Sequence, residues 1–172
     1  NYAFSNIHFP RNDGDIKNAR YRLVFEELFL LQLGLLSVKT VLSDGKEGIA
    51  FAPNRKEMVD FINSIGFTLT NAQKRVWEEI EKDMESNRVM NRLVQGDVGS
   101  GKTIVAALAL AKAVKSGYQG AMMVPTEILA KQHYESLKDI MGKHGINVAL
   151  LVGSQTKKQR SEILSKIESG EV

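Results

Sequence analysis

Residues 96–103 read Gly96-Asp97-Val98-Gly99-Ser100-Gly101-Lys102-Thr103, and these types at this spacing suit the holding of a polyphosphate. The stretch fits the pattern G-x-x-x-x-G-K-[ST] at every fixed position. Glycines at 96, 99 and 101 let the backbone turn tightly, so that several N–H groups converge on phosphate oxygens. A helix starting just after the loop adds the partial positive charge of its N-terminus. Lys102 is then placed to reach the β- and γ-phosphates, and the Thr103 hydroxyl to ligate Mg²⁺. Gly96, Gly99, Ser100, Gly101, Lys102 and Thr103 are the candidate phosphate-binding set, with Lys102 and Thr103 the candidate catalytic pair. The plain alternative is a glycine turn before a helix. What separates the two is the setting: a strand must enter the loop and a helix must leave it.

The flanking residues predict that setting. Met90 to Gln95 suits a short strand, and Ile104 to Val114, rich in Ala, Leu and Val, a helix. Gly120 to Val124 is an apolar run that Pro125 stops, and it predicts a buried strand. Thr126 is placed to cap a helix from Glu127 to about Met141, and Asn147 to Val152 predicts another buried strand before a last helix from about Thr156. Strand–helix alternation after residue 90 predicts an α/β fold: a P-loop NTPase (RecA-like) lobe with a parallel sheet and right-handed crossovers.

The upstream part has a different texture. Residues 1–15 show no period and predict a linker, with a turn at Asn12-Asp13-Gly14. Asp15 or Asn18 can start a helix to about Leu36, in which Arg22 and Glu26 are spaced to pair. Its second half is apolar nearly all round, which predicts burial on several sides. From Ser37 to Pro53 helical character is lost, and Asp44-Gly45 between two short apolar runs is a hairpin signal. Asn54 is expected to cap a helix from Arg55 to Ser64 that Gly66 ends. Thr70, with Gln73 three residues on, predicts a capping box for a helix from Asn71 to about Met84, with Val76, Trp77, Ile80 and Met84 inward. The division expected is a linker and brace helix over 1–53, arriving from an upstream domain, and the first, incomplete part of an α/β lobe over 54–172.

Bulk properties narrow the partners only a little. The 172 residues carry a net charge of +3 and a pI near 9.1, which is compatible with nucleic acid but shared by many enzymes. There is no cysteine, hence no disulfide and no thiolate metal site. The most apolar run, Leu28 to Leu36, is far short of the roughly 20 residues a membrane span requires. A cytoplasmic setting is expected, without a membrane partner. The chain starts at Asn1 rather than Met, and it is expected to be a piece of something longer.

Several stretches together resemble a family. Gly96 to Thr103 resembles the first motif of superfamily 2 DNA helicases, and Arg92-Leu93-Val94-Gln95 before it is similar to the RecG branch. Val124-Pro125-Thr126-Glu127-Ile128-Leu129-Ala130-Lys131-Gln132-His133 resembles the next motif, Ia. Phe67-Thr68-Leu69-Thr70 with Gln73 resembles the upstream adenine-reading Q motif. The segment Arg22 to Leu36 resembles the part joining the DNA-wedge domain to the motor, and Gly153-Ser154-Gln155 with Lys157-Lys158-Gln159-Arg160 also fits. The resemblance covers nearly the whole chain and is weakest over 37–53.

That resemblance implies an ATP-driven motor, with ATP and Mg²⁺ as cofactors, that remodels branched DNA such as stalled forks and Holliday junctions. A glutamine amide can donate to N7 and accept from N6 of adenine together, so Gln73 is a candidate to select ATP; the alternative is a capping residue alone. Phe67 is a candidate to pack on the adenine face, or else in the core. Pro125, Thr126 and Glu127 are the candidate nucleic-acid contacts, since a helix N-terminus suits a backbone phosphate; an ordinary helix cap is the alternative. His133 sits at a spacing that favours packing. Lys157, Lys158 and Arg160 form a solvated basic face, with a nucleic-acid contact as the alternative.

Hydrolysis also calls for an acidic element, an apolar strand ending in Asp with a neighbouring carboxylate, and for an arginine. No apolar run ending in Asp-Glu follows the loop; Asp139 falls within a helix. The chain alone is therefore expected not to turn over ATP. In the family, later strands lie between those of the loop and of motif Ia, so unpaired sheet edges and self-association are expected. Competing assignments are a transcription–repair coupling or primosomal translocase, a metabolic P-loop NTPase, and a degenerate nucleotide-binding regulator. The intact Lys102-Thr103 weighs against the last.

Overall fold

The computed structural model describes residues 2–43 and 47–172. It divides into two compact units, residues 1–46 and residues 47–172.

The first unit is a helical hairpin. Helix α1 spans Tyr2–His8 and α2 spans Asp13–Ser43. The structureless linker expected over 1–15 is thus corrected. Asn12 does not make a free turn but starts α2, its Oδ1 accepting the Asp15 N–H at 3.0 Å. Asp13 and Asp15 in the first turn suit the positive end of the helix. The Tyr2 hydroxyl donates to Asp15 Oδ1 at 2.6 Å, and Ala3 and Ala19 are buried. Helix α2 also runs past Leu36: no proline or glycine interrupts 35–43, and Ser37 Oγ bonds back to Leu33 O at 2.8 Å. Thr40 to Leu42 is helix rather than strand, and the Asp44-Gly45 hairpin signal lies outside the described residues. The Arg22–Glu26 pair forms as its spacing predicts, at 3.4 Å. The burial expected for the second half is not supplied, since Leu28, Leu31 and Leu35 are each more than half exposed.

The second unit is built on three packed helices, α3 (Arg55–Ser64), α4 (Asn71–Met84) and α5 (Lys102–Lys115). Helix α5 packs on both α3 and α4. Small residues allow it: Ala107 and Ala111 are buried, and their lack of bulk brings the backbones close. Met58 and Phe61 from α3, Trp77, Ile80 and Met84 from α4, and Val105 and Leu108 from α5 form the core. Leu137 and Met141 of α6 (Glu127–Gly142) extend it. The last helix, α7, spans Lys157–Glu168. Caps behave largely as the sequence predicts. Thr70 and Gln73 form the full capping box of α4, Thr126 Oγ1 accepts the Leu129 N–H at 3.3 Å, and Thr156 with Gln159 forms a second box on α7. Asn54 is the exception: its side chain makes no cap bond to α3, because its Oδ1 accepts Lys112 Nζ instead.

The parallel sheet is the main correction. Among the described residues the single β-pairing is an isolated antiparallel bridge between Glu47 and Arg88, with Gly48 N–H bonded to Asn87 O and Phe51 N–H to Met84 O beside it. The runs 90–95, 120–124 and 147–152 carry no regular secondary structure, and no ladder joins them. Segments 120–124 and 147–151 instead line one open cavity of about 660 Å³ together with α6 and α7. Ladder pairing brings neighbouring strands to about 4.8 Å, and a cavity stands there in its place. Local composition marks a run as strand-like, while the ladder itself is a long-range pairing that each run must find.

Candidate nucleotide and nucleic-acid sites

The candidate phosphate-binding stretch, residues 96–103, forms a loop closed on itself. Gly99 and Gly101 have φ of 81° and 82°, the left-handed region that side chains resist. That conformation lets Ser100 N–H reach Asp97 O at 3.2 Å and starts α5 at Lys102. Gly96 also lies too close for a side chain, as a Cβ there would meet Ser100 Oγ at 2.8 Å. The Lys102 ammonium lies across the loop, donating to Gly96 O at 2.8 Å and Asp97 O at 2.7 Å. The Thr103 side chain is half-buried in the first turn of α5. Polyphosphate fits this frame: one mobile cation, backbone N–H groups at a helix start and a hydroxyl at its edge. Lys102 must release its two carbonyls to reach a phosphate. Mg²⁺, where bound with nucleotide, would take Thr103 as its protein ligand and would neutralise phosphate charge.

Helix α4 and its C-terminal end are tied to the loop once and to the segments before and after it. Gln73, whose Oε1 accepts the Thr70 N–H at 2.9 Å, donates Nε2 to Ser100 O at 2.9 Å. A Cβ on Gly101 would lie 2.3 Å from that same Nε2, so the glutamine presses directly on the loop. Ahead of the loop, Arg92 bonds Glu79 at 2.7 Å and Asp83 at 2.5 Å; the Asp83 carboxylate, then Glu79, push the guanidinium above its ordinary pKa. Beyond the loop, the fully buried Lys112 of α5 bonds Glu85 at 2.7 Å, Glu81 at 3.2 Å and Asn54 Oδ1 at 3.3 Å. Asn54 Nδ2 is buried without a partner.

The second candidate region lies at the start of α6. Pro125 and Thr126 are exposed. Glu127 is held rather than free: Lys131 Nζ lies 2.8 Å from its Oε1, Ser154 O–H donates to the same oxygen, and Ser154 N–H donates to Oε2 at 3.3 Å. Lys131 first, then Ser154, hold the carboxylate below its usual pKa.

Residues 70–170 match the DEAD/DEAH box helicase family. The chain belongs to this family. It is 48% identical over 170 residues to the ATP-dependent DNA helicase RecG of Bacillus subtilis (strain 168), covering 99% of this chain and 25% of that protein. To the protein of the same name from Thermotoga maritima it is 44% identical, covering 99% of this chain and 22% of the other. A solved structure of RecG bound to a three-way DNA junction aligns with a TM-score of 0.86 at 44% identity, over 96% of this chain and 23% of that one. The chain thus spans about a quarter of the length of the curated relatives it matches, and a P-loop NTPase-like fold is the shared architecture.

For this DEAD/DEAH box segment, the structure brings Gln73 against Gly96–Thr103 and leaves Phe67 about half exposed, outside the core. It ties Glu127 to Ser154. His133 is half-buried on the cavity wall, the packing position its spacing predicts. Lys157, Lys158 and Arg160 are exposed. Sequence reasoning missed Arg92, Lys112 and Ser154 as fasteners. Two of them had a signal: α4 carries acids at 79 and 83 and again at 81 and 85, i,i+4 pairs that each receive one cation from further along the chain.

Proposed function

We propose that these residues are the nucleotide-binding front of the motor in a RecG-type, ATP-dependent DNA helicase that remodels branched DNA such as forks and junctions. The observation that carries it is likeness to RecG proteins across 99% of the chain, brace helix included, together with a loop folded for phosphate. Residues 1–53 would then be the linker and brace from a DNA-binding domain, and 54–172 the first part of the motor lobe. The runs 90–95, 120–124 and 147–152 would pair within a parallel, RecA-like sheet when further strands of the motor lie beside them. Among the described residues no helix is long and apolar enough to cross a membrane, which agrees with work on cytoplasmic DNA.

In this reading the loop N–H groups and Lys102 hold the triphosphate. Gln73 reads adenine with the amide hydrogen and the oxygen lone pair that its two present bonds leave over, and the exposed Phe67 ring packs on the base. Pro125 and Thr126 meet a backbone phosphate. No apolar run ending in Asp-Glu follows the loop within residues 104–172, so turnover is assigned to the full-length protein and not to these residues alone. ATP hydrolysis by the full-length protein should rise on adding fork DNA, and Lys102→Ala should abolish it. ATPase indifferent to branched DNA would favour a metabolic NTPase and overturn the reading.

A further inference from the structure

Glu127 occupies the first position of α6, where a carboxylate ordinarily serves the helix dipole and faces water. Here it reaches across 27 residues in sequence to the turn Gly153-Ser154-Gln155, taking both the O–H and the N–H of Ser154. That turn is wired on its other sides too. Gln155 Nε2 donates to Leu150 O at 2.8 Å and its Oε1 accepts Val152 N–H at 3.2 Å. Immediately beyond, Thr156 and Gln159 close the capping box of α7.

The consequence is electrostatic as well as geometric. Helix α7 has no acid in its first turn and instead carries Lys157, Lys158 and Arg160 there, where the helix dipole makes cations unfavourable. The tether through Glu127 joins the turn that leads into this charge to the residue next to Thr126. With Lys131 also bound, three of the roughly four lone-pair positions of the Glu127 carboxylate are taken, two of them by Ser154.

We propose that Glu127 is a positioning residue for nucleic-acid binding. It does not touch the polynucleotide, but locks the 153–155 turn to the start of α6, so that Thr126 and the basic start of α7 present one surface to a single phosphodiester backbone. This rests on the DNA-motor reading above.

The test uses the full-length protein and the fork-DNA concentration that half-saturates its ATPase. Glu127→Ala and Ser154→Ala should each raise that concentration on the order of fivefold, the scale of losing one solvent-exposed, charge-assisted hydrogen bond. The double variant should be no worse than Glu127→Ala alone, because removing the carboxylate already removes the Ser154 hydroxyl bond, whereas Ser154→Ala leaves the N–H bond to Oε2 in place. Ser154→Thr, which keeps hydroxyl and N–H, should restore near-parental values. Melting temperatures taken alongside should not follow the DNA effect; a loss of DNA affinity that scales with loss of stability would reduce Glu127 to a structural role. Tighter DNA binding in Glu127→Ala would show a carboxylate facing phosphate directly, and additive effects would show two separate roles; either overturns the proposal. Absence of any DNA stimulation in the parent protein would instead defeat the motor reading.

Discussion

The two halves of residues 47–172 are secured by different means. Around the phosphate loop, polar ties converge on α4: Gln73 on Ser100, Glu79 and Asp83 on Arg92, Glu81 and Glu85 on Lys112. Beyond α5, the segments 120–124 and 147–151 face a cavity, and Met123 is 94% exposed. The difference teaches that the surroundings of the loop are tied by side-chain bonds from α4 and its C-terminal end, one of them to the loop itself, whereas strand-like runs depend on backbone partners.

The sharpest way to break this contrast is to cut the buried tie. Lys112→Ala should destabilise the second unit by about 3 kcal/mol, because it leaves two carboxylates facing each other without their cation; chemical denaturation measures it. Adding Glu81→Gln and Glu85→Gln to Lys112→Met should recover most of that loss, since neutral groups carry little desolvation penalty. If Lys112→Ala unfolds at the parental midpoint, α4 does not secure α5 in the way described.

A smaller effect is expected from Gln73→Ala. It removes the donor to Ser100 O and the capping acceptor together. Affinity for ATP should fall most, because base reading and loop support are lost together, and affinity for GTP should fall less, through the loosened loop alone. A loss confined to ATP would mean that Gln73 does not hold the loop, and equal losses that it does not read the base. Equilibrium titration with both nucleotides distinguishes these outcomes.

The smallest effect concerns the other half. The unpaired strand-like runs should let residues 1–172 associate weakly, with a mean mass in light scattering that rises with concentration. A mass that stays monomeric across the range would show that the exposed runs are protected without a partner.

Much of the helical frame was legible in the residues themselves. Thr70 with Gln73 marks the start of α4, Thr126 that of α6, and the apolar spacing of Val76, Trp77, Ile80 and Met84 the buried face, because caps and helical periodicity are local properties. Asn12 was misleading for the opposite reason: Asn-Asp-Gly serves equally as a turn and as a helix start, and the Tyr2–Asp15 contact goes with the second use. The double role of Asn54 was equally hidden, since nothing near it in sequence announces a lysine 58 residues away.

The loop at 96–103 divides along the same line. Its candidacy for holding phosphate is legible in residue order, because glycine backbone freedom, a lysine and a hydroxyl at fixed spacing suit that chemistry. Where Gln73, Arg92 and Lys112 act could be decided only by the fold, because each bond spans a distance in sequence that no local pattern encodes. The missing ladder between 120–124 and 147–152 belongs with them: a run of apolar residues specifies extended backbone, but only a neighbour at hydrogen-bonding distance turns it into a strand.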